Sequence, residues 1–432
     1  MLQATTGLRY NTVNITSLDG EKTIDLTNSL IETDYFEDLL SPTLSATLKI
    51  ATSYDIIEGL PIRGGEKVII DLLTASGPFK QTFRVYKVSD ATLQKQKEMF
   101  VLNLVPEEYL NNDLVRVSRK YQKLPVDIHV KSILQNVLQT SRIGVIEETS
   151  NSLSFFGNMK KPIWTLQWLG PQSLSVVGGG GGEKGEEGSK DNPAEAKGTA
   201  GFIFYQNSAG FHYRSVDSLA SKTRVQESSA DLEDIMTYSA GEVTKANDVK
   251  NAVKIINYFF EKNIDLRKGL RTGMYGNKTL NFNPLTHELT VYDYSLSDAL
   301  KKRGKETLGN QKDISMYSDS PSRMMYHISD EGVMAAEGGD ATSGLERTAR
   351  SKSFARYNLL FTQGLNILIP CNTKLKAGDI IRCLFPELQG GSTKQTDKSR
   401  SGLYLIKELR HHFSANQNTT SLKLIRDSYG VQ

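Results

Sequence analysis

Apolar and polar residues alternate with a period of two through much of residues 10–116, the pattern of strands that bury one face. Thr43-Leu44-Ser45-Ala46-Thr47-Leu48-Lys49-Ile50 alternates cleanly, and Lys67 to Leu73, Thr82 to Val88 and Met99 to Val105 read as further strands. Ser17-Leu18-Asp19-Gly20 carries the Asp-Gly pair that favours a tight hairpin, and Pro61 with Gly64-Gly65 punctuates the approach to Lys67. Five or six short strands at this spacing predict a small antiparallel barrel or sandwich.

The period then changes. Val126, Ile128, Val130, Ile133, Leu134, Val137 and Leu138 fall mostly at helical spacing behind Pro125, a residue suited to a helix start. A second short helix is expected within 155–176, held down by Leu166, Trp168, Leu169 and Leu174. Gly178 to Gly182 and the Glu/Lys/Ser/Pro-rich residues up to Gly201 have the composition of a surface linker. Gly201 to Gln206 and Gly210 to Val216 then predict a hairpin turning at Asn207-Ser208-Ala209-Gly210. Val249 to Phe260 reads as a strand. Residues 296–355 are polar and poor in aliphatics, which suggests a long, partly helical excursion.

From Tyr357 the early pattern returns. Phe83-Arg84-Val85-Tyr86-Lys87, Leu102, Leu104 and Tyr109 match Leu403-Tyr404-Leu405-Ile406-Lys407, Leu422, Leu424 and Tyr429 at a constant offset of 320 positions. Upstream, Leu60, Ile62, Gly65 and Val68 match Thr373, Leu375, Gly378 and Ile381 at an offset of 313, the difference lying in the polar stretch 390–400. Leu365 to Ile369 stands where Leu44 to Ile50 stands in the first copy. The pattern is one β-unit used twice. The resulting division is a first β-barrel at 1–116 and an α+β unit at 117–240 that contains the loop 177–200 and is completed by 270–354. A second barrel is assembled from 241–269 and 355–432.

Size agrees with several cores, since 432 residues exceed what one core usually serves. A formal charge of +3 lacks the dense basic face of a dedicated nucleic-acid binder. Cys371 and Cys383 are too few for a disulfide framework or a zinc site, so they are read as buried thiols. The first residues lack a signal-peptide pattern, and no apolar stretch reaches the ~18 residues of a membrane span, so folding in a reducing cytosol without membrane insertion is expected.

Catalytic patterns fail on chemical grounds. The glycine run continues into Glu183-Lys184-Gly185-Glu186-Glu187, whereas a phosphate-binding loop needs Gly-Lys-Ser/Thr to meet phosphate and Mg²⁺. His287-Glu288 starts like a zinc-protease helix but Val291 stands where the second ligand belongs. His411 and His412 are strand neighbours pointing to opposite faces and are read as surface histidines. Glu107-Glu108 and Glu186-Glu187 are paired carboxylates without a defined cleft, and Arg116 to Lys123 reads as a solvated face. No catalytic, cofactor-binding or metal-binding residue is assigned, and an enzyme is not expected.

Ile369 to Ile381, Ser401 to Ile406, Leu409-Arg410-His411 and the closing Leu424-Ile425-Arg426-Asp427-Ser428 resemble the C-terminal signature of phage baseplate hub proteins. Lys161-Pro162-Ile163-Trp164 to Leu169, Gly201 to Tyr205 and Gly210 to Ser215 are similar to that family's helix and hairpin, and Phe83 to Lys87 with Glu107 to Leu110 to the close of its first barrel. The resemblance is to the hubs of T-even-type contractile tails and, more distantly, to the hub part of type VI secretion spike proteins. It implies a mainly β (α+β overall) fold: two tudor-like antiparallel β-barrels arising by duplication, with an intervening α/β domain. It further implies a homotrimer whose six barrels form a pseudo-sixfold ring, joining a hexameric tail tube or its initiator proteins to a trimeric cell-puncturing spike. The expected location is the virion tail baseplate, assembled in the bacterial cytoplasm, with wedge proteins as further neighbours. No sequence-specific nucleic-acid binding is implied, although DNA would pass through the channel. The alternatives are a hub of a secretion system or a non-contractile long tail and, from another class, a tail-associated hydrolase.

Overall fold

The computed structural model describes residues 8–53, 56–94, 97–176, 200–220, 235–240, 252–262, 265–284, 287–303, 308, 315–328, 345–387, 396–415 and 417–428. The glycine run, Glu186-Glu187 and Tyr429 lie outside these residues. The protein is mainly β, with antiparallel pairing dominant.

The alternating segments at the front form β1 (Arg9–Thr16), β2 (Thr23–Asp25), β3 (Leu30–Asp38), β4 (Ser45–Thr52), β5 (Lys67–Thr74), β6 (Gly77–Gln94) and β7 (Lys97–Val105). Residues 117–220 give β8 (Lys120–Pro125), β9 (Ile143–Ile146), β10 (Ser152–Phe156), β11 (Phe202–Asn207) and β12 (Gly210–Ser215), with helices Val126–Ser132 and Pro162–Leu169 as the spacing predicts. β13 (Thr237–Ser239) and β14 (Asn257–Lys262) follow, then β15 (Gly276–Asn283), β16 (Glu288–Ser295) and β17 (Arg323–Ile328). Helix Leu345–Leu360 leads into β18 (Gln363–Pro370), β19 (Ile380–Leu384), β20 (Gly402–Ser414) and β21 (Asn418–Arg426). Of the expected strand 249–260, the described residues 252–260 form a strand only from Asn257, in β14. β17 was not expected, because its Arg323-Met324-Met325-Tyr326-His327-Ile328 sits in a polar region too short of aliphatics to stand out.

One thirteen-stranded sheet spans both ends of the chain, in the order β14-β18-β21-β20-β3-β4-β7-β6-β5-β1-β2, with β19 on β20 and β13 on β19. The antiparallel order β3-β4-β7-β6-β5 is repeated as β14-β18-β21-β20-β19, after which the halves differ, β1 lying antiparallel on β5 and β13 parallel on β19. Both halves contribute to one buried apolar cluster, with Leu48, Val68, Val85, Leu102 and Leu104 from the first and Leu365, Ile367, Ile406, Leu422 and Leu424 from the second.

Local hydrogen bonds repeat as well. The Gly65 amide donates to the Val85 carbonyl (2.7 Å) and the Val85 amide to the Glu66 carbonyl (3.0 Å); Gly378 donates to Ile406 (2.9 Å) and Ile406 to Asp379 (2.9 Å). A β-bulge follows in both halves, at Tyr86 between Val85 and Lys87 and at Lys407 between Ile406 and Glu408. Tyr86 thus occupies the place of Lys407, one residue away from the gapless match of Lys87 with Lys407. The reason is a second bulge in β6, between Ser89 and Thr92, where Asp90 takes φ 54°. It adds one residue to the first half, and the offset falls from 321 before it to 320 after it.

The repeated turn needs glycine. Gly65 and Gly378 have φ +96° and +89°, and an added Cβ would lie 3.0 Å from Leu18 Cδ2 at the first and 2.7 Å from Tyr205 Oη at the second. Leu18 can yield, whereas Tyr205 is fully buried. Gly378→Ala is therefore expected to lower the unfolding free energy by about 2 kcal/mol or more and Gly65→Ala by about 1 kcal/mol, read from urea midpoints. A neutral Gly378→Ala would contradict this role of the turn.

Candidate assembly interface

The two halves join where β3 pairs antiparallel with β20, from Asp38↔Glu408 through Tyr35↔His411 to Glu32↔Ser414. Alternation along both strands sorts the side chains. On the inner face Tyr35 stacks on His411 (ring centroids 5.9 Å apart) and meets Phe79 edge-on (4.9 Å), while Phe79 reaches Phe413 (5.9 Å). On the outer face Asp34 accepts Nε and Nη2 of Arg410, each at 2.9 Å, and lies 2.8 Å from His412 Nδ1. A forked Arg–carboxylate pair fixes register as well as distance.

Glu37, 2% exposed, ties this join to the middle unit. Its carboxylate accepts from the Tyr35 hydroxyl, the Ser208 amide and the Ala377 amide, each at 2.7 Å. Those donors come from β3, from the β11–β12 turn and from the loop before β19. Asn207 of the same turn donates to the Ala377 carbonyl (3.3 Å), and the Leu44 amide donates to Gln206 Oε1 (3.2 Å). The hairpin tip is a wedge between the two repeated halves. Burial pushes Glu37 up to about 7, against the lowering effect of its three donors.

A second buried charge fastens the helix Leu345–Leu360. Arg356 donates to Asp217 (2.5 Å) and to Asp427 (2.8 Å), with all three side chains under a tenth exposed. Burial opposes its charge, but the two carboxylates outweigh it and raise its pKa. An unpaired buried charge would be costly, so the trio holds its three segments in one arrangement. No local pattern marks Glu37 or this trio in the sequence, because apart from Tyr35 their partners lie 71 to 340 positions away.

His411 is 1% exposed, so its reading as a surface residue is corrected. Its position on the inner face of β20 buries it against Tyr35 and Thr420, and burial holds its pKa down to about 3. His412 does reach the surface side, and His287 is exposed. The two neighbouring imidazoles lie on opposite faces of β20, as the alternation requires. Cys383 is buried and Cys371 partly so; both are free thiols, and burial raises the pKa of each, Cys371 to about 11. Glu107 pairs with Arg84 (3.2 Å), whereas Glu108 is buried and accepts from Thr140 (2.7 Å), so the adjacent carboxylates do not act together. Among the described residues no group of three or more His, Cys, Asp or Glu could hold a metal ion.

Two further surfaces stand out. β14 ends the large sheet, and its outer side has no strand partner among the described residues, with Phe259 64% exposed. In the separate sheet β16-β15-β17, aligned rows Leu289–Phe282–Ile328 and Val291–Leu280–Tyr326 present an apolar face, with Tyr326 78% exposed.

No family model matches the chain, and no curated protein matches it in sequence. Solved structures do match in fold. The tail protein from Neisseria meningitidis MC58 aligns over 97% of this chain and 96% of its own, at 12% identity and a TM-score of 0.52. The 43 kDa tail protein of prophage MuSo2 from Shewanella oneidensis aligns over 97% and 99%, at 10% identity and a TM-score of 0.52. The chain therefore has the fold of these phage-type tail proteins along nearly its whole length.

The two buried groups on the inner side of the join act on stability with opposite signs. Glu37, raised from 4.5 to about 7, contributes stability that is present below about 4.5 and lost as pH rises through about 7. His411, lowered from 6.5 to about 3, contributes stability that is present above 6.5 and lost as pH falls toward 3. Glu37→Gln removes the first effect and leaves the second. Between pH 7 and pH 5 the variant is expected to lose on the order of 1–2 kcal/mol more stability than the natural protein, measured by urea unfolding at both pH values. Parallel pH curves would rule out this assignment.

Proposed function

We propose that this protein is the non-enzymatic structural hub of a phage-type tail baseplate, a homotrimer that adapts a sixfold tail tube to a threefold spike. The observation that carries the reading is the repeated antiparallel strand order within one chain, β3-β4-β7-β6-β5 and β14-β18-β21-β20-β19, with its repeated glycine turn and bulge. We take these as two tudor-like barrels produced by duplication. Three chains with two such units each present six similar surfaces, which lets a threefold object meet a sixfold one.

The fold shared with the two tail proteins supports a place in the tail, and the organisation of the chain supports a structural role. Its buried charges are spent on fastening segments together: Glu37 on the hairpin tip, and Arg356 on Asp217 and Asp427. In this reading the domains are 1–116, 117–240 completed by 270–354, and 241–269 with 355–432. The apolar face of β15–β17 is a contact surface for a tail neighbour, and tube and spike proteins are the partners.

The purified protein is expected to scatter light as a particle of about 144 kDa, three times the 48.0 kDa chain, at micromolar concentration. A monomer at every concentration up to about 100 μM, alone and with a spike protein added, would contradict the reading.

A further inference from the structure

The repeat makes one junction inside the chain and leaves the counterpart of that junction unmade. β3 pairs with β20 along residues 408–414, the part of β20 that extends beyond β19. The strand that corresponds to β20 is β6. Its residues 77–84 pair with β5, while residues 86–94 have no partner on that side among the described residues. The strand that corresponds to β3 is β14, which ends the sheet. An edge of the β3 type and an edge of the β20 type are thus both left open, one at each half.

We infer that β14 of one protomer pairs antiparallel with residues 86–94 of β6 in a second copy of this chain, in the register that β3 and β20 use within the chain. The inference rests on the proposed trimer and specifies how its ring closes. The join within the chain shows that backbone edges in these two positions of the unit pair in that register. The open edge is also unsuited to water. Phe259 is 64% and Tyr258 42% exposed, and Tyr258 packs on Phe260 and Phe385. By the ladder register Phe260 stands where Tyr35 stands behind the closed junction. An uncovered apolar edge strand is an aggregation hazard that a second strand removes.

The ladders give the register residue by residue. Leu48 pairs with Thr33 and Leu102 in the first half, and Ile367 pairs with Tyr258 and Leu422 in the second, so Tyr258 stands for Thr33 and Phe259 for Asp34. Val101 pairs with Ser89 and Met99 with Thr92, while Ser421 pairs with Arg410 and Thr419 with His412, so Thr92 stands for His412. The pair Asp34↔His412 therefore predicts Phe259 opposite Thr92 of the neighbouring protomer. The Leu39 amide donates to the Lys407 carbonyl (2.7 Å), making that a hydrogen-bonded pair; five steps along, Asp34↔His412 is a non-hydrogen-bonded one. Such pairs bring Cα atoms to about 4.5 Å, within the range a disulfide spans. Because the two edges differ, the contact is head-to-tail, and repetition either closes a ring or runs on as a filament.

The test is cysteine cross-linking of the full chain. Phe259 and Thr92 are both exposed, so Phe259→Cys with Thr92→Cys leaves the core intact. Under mild oxidation this double variant is expected to give reducible species of two and three chains and none larger. A Phe259→Cys, Lys87→Cys control, displaced by roughly 14 Å along the strand, is expected to give at least tenfold less. A trimer by light scattering with no cross-link above the control overturns the edge pairing and leaves the threefold reading standing. Neither trimer nor cross-link overturns both. Reducible ladders beyond three chains uphold the pairing and overturn closure at three.

Discussion

The structure depends on a pairing between strands almost the whole chain apart. β3, near the N-terminus, and β20, near the C-terminus, run antiparallel for seven residue pairs and turn two β-units into one sheet. Backbone hydrogen bonds provide the geometry but no selectivity. Selectivity comes from the side chains, with Arg410 and His412 on Asp34 outside and Tyr35 on His411 inside. A slip of one residue would send the aromatic rings to water and Asp34 into the core, so the register is strongly fixed.

Glu37 extends the same constraint to the middle of the chain. A carboxylate this deeply buried is tolerated because three donors converge on it, and they come from all three parts that meet there. Removing any one part leaves the others with unsatisfied groups in a dry place. Arg356 with Asp217 and Asp427 does the equivalent for the helix Leu345–Leu360. Such knots contribute less to net stability than to selecting one arrangement of segments.

Much of the β-architecture was legible because its signals are local. Alternation marked β4 to β7, Pro125 and helical spacing marked Val126–Ser132, and the hairpin β11–β12 followed from its turn residues. The repeated strand order was visible for the same reason, although a bulge at Asp90 displaced part of the sequence match by one residue, and bulges leave no reliable trace in a hydrophobic pattern. What could not be read was long-range. The fusion of both halves into a single sheet, the burial of His411 and the convergence on Glu37 depend on partners that only the folded chain brings together. β17 was missed because its Met, Tyr and His residues form a strand without aliphatic alternation.

Native-state hydrogen exchange measures the central join most directly. The amides of Tyr35, Glu37, Leu409 and His411 belong to its hydrogen-bonded pairs, and those of Leu48, Leu102, Ile367 and Leu422 lie within the separate halves. If the join unites the halves, both sets exchange only through global unfolding and report the same opening free energy. If the join opens well below that free energy while the halves stay protected, the two β-units are independent bodies and the account fails.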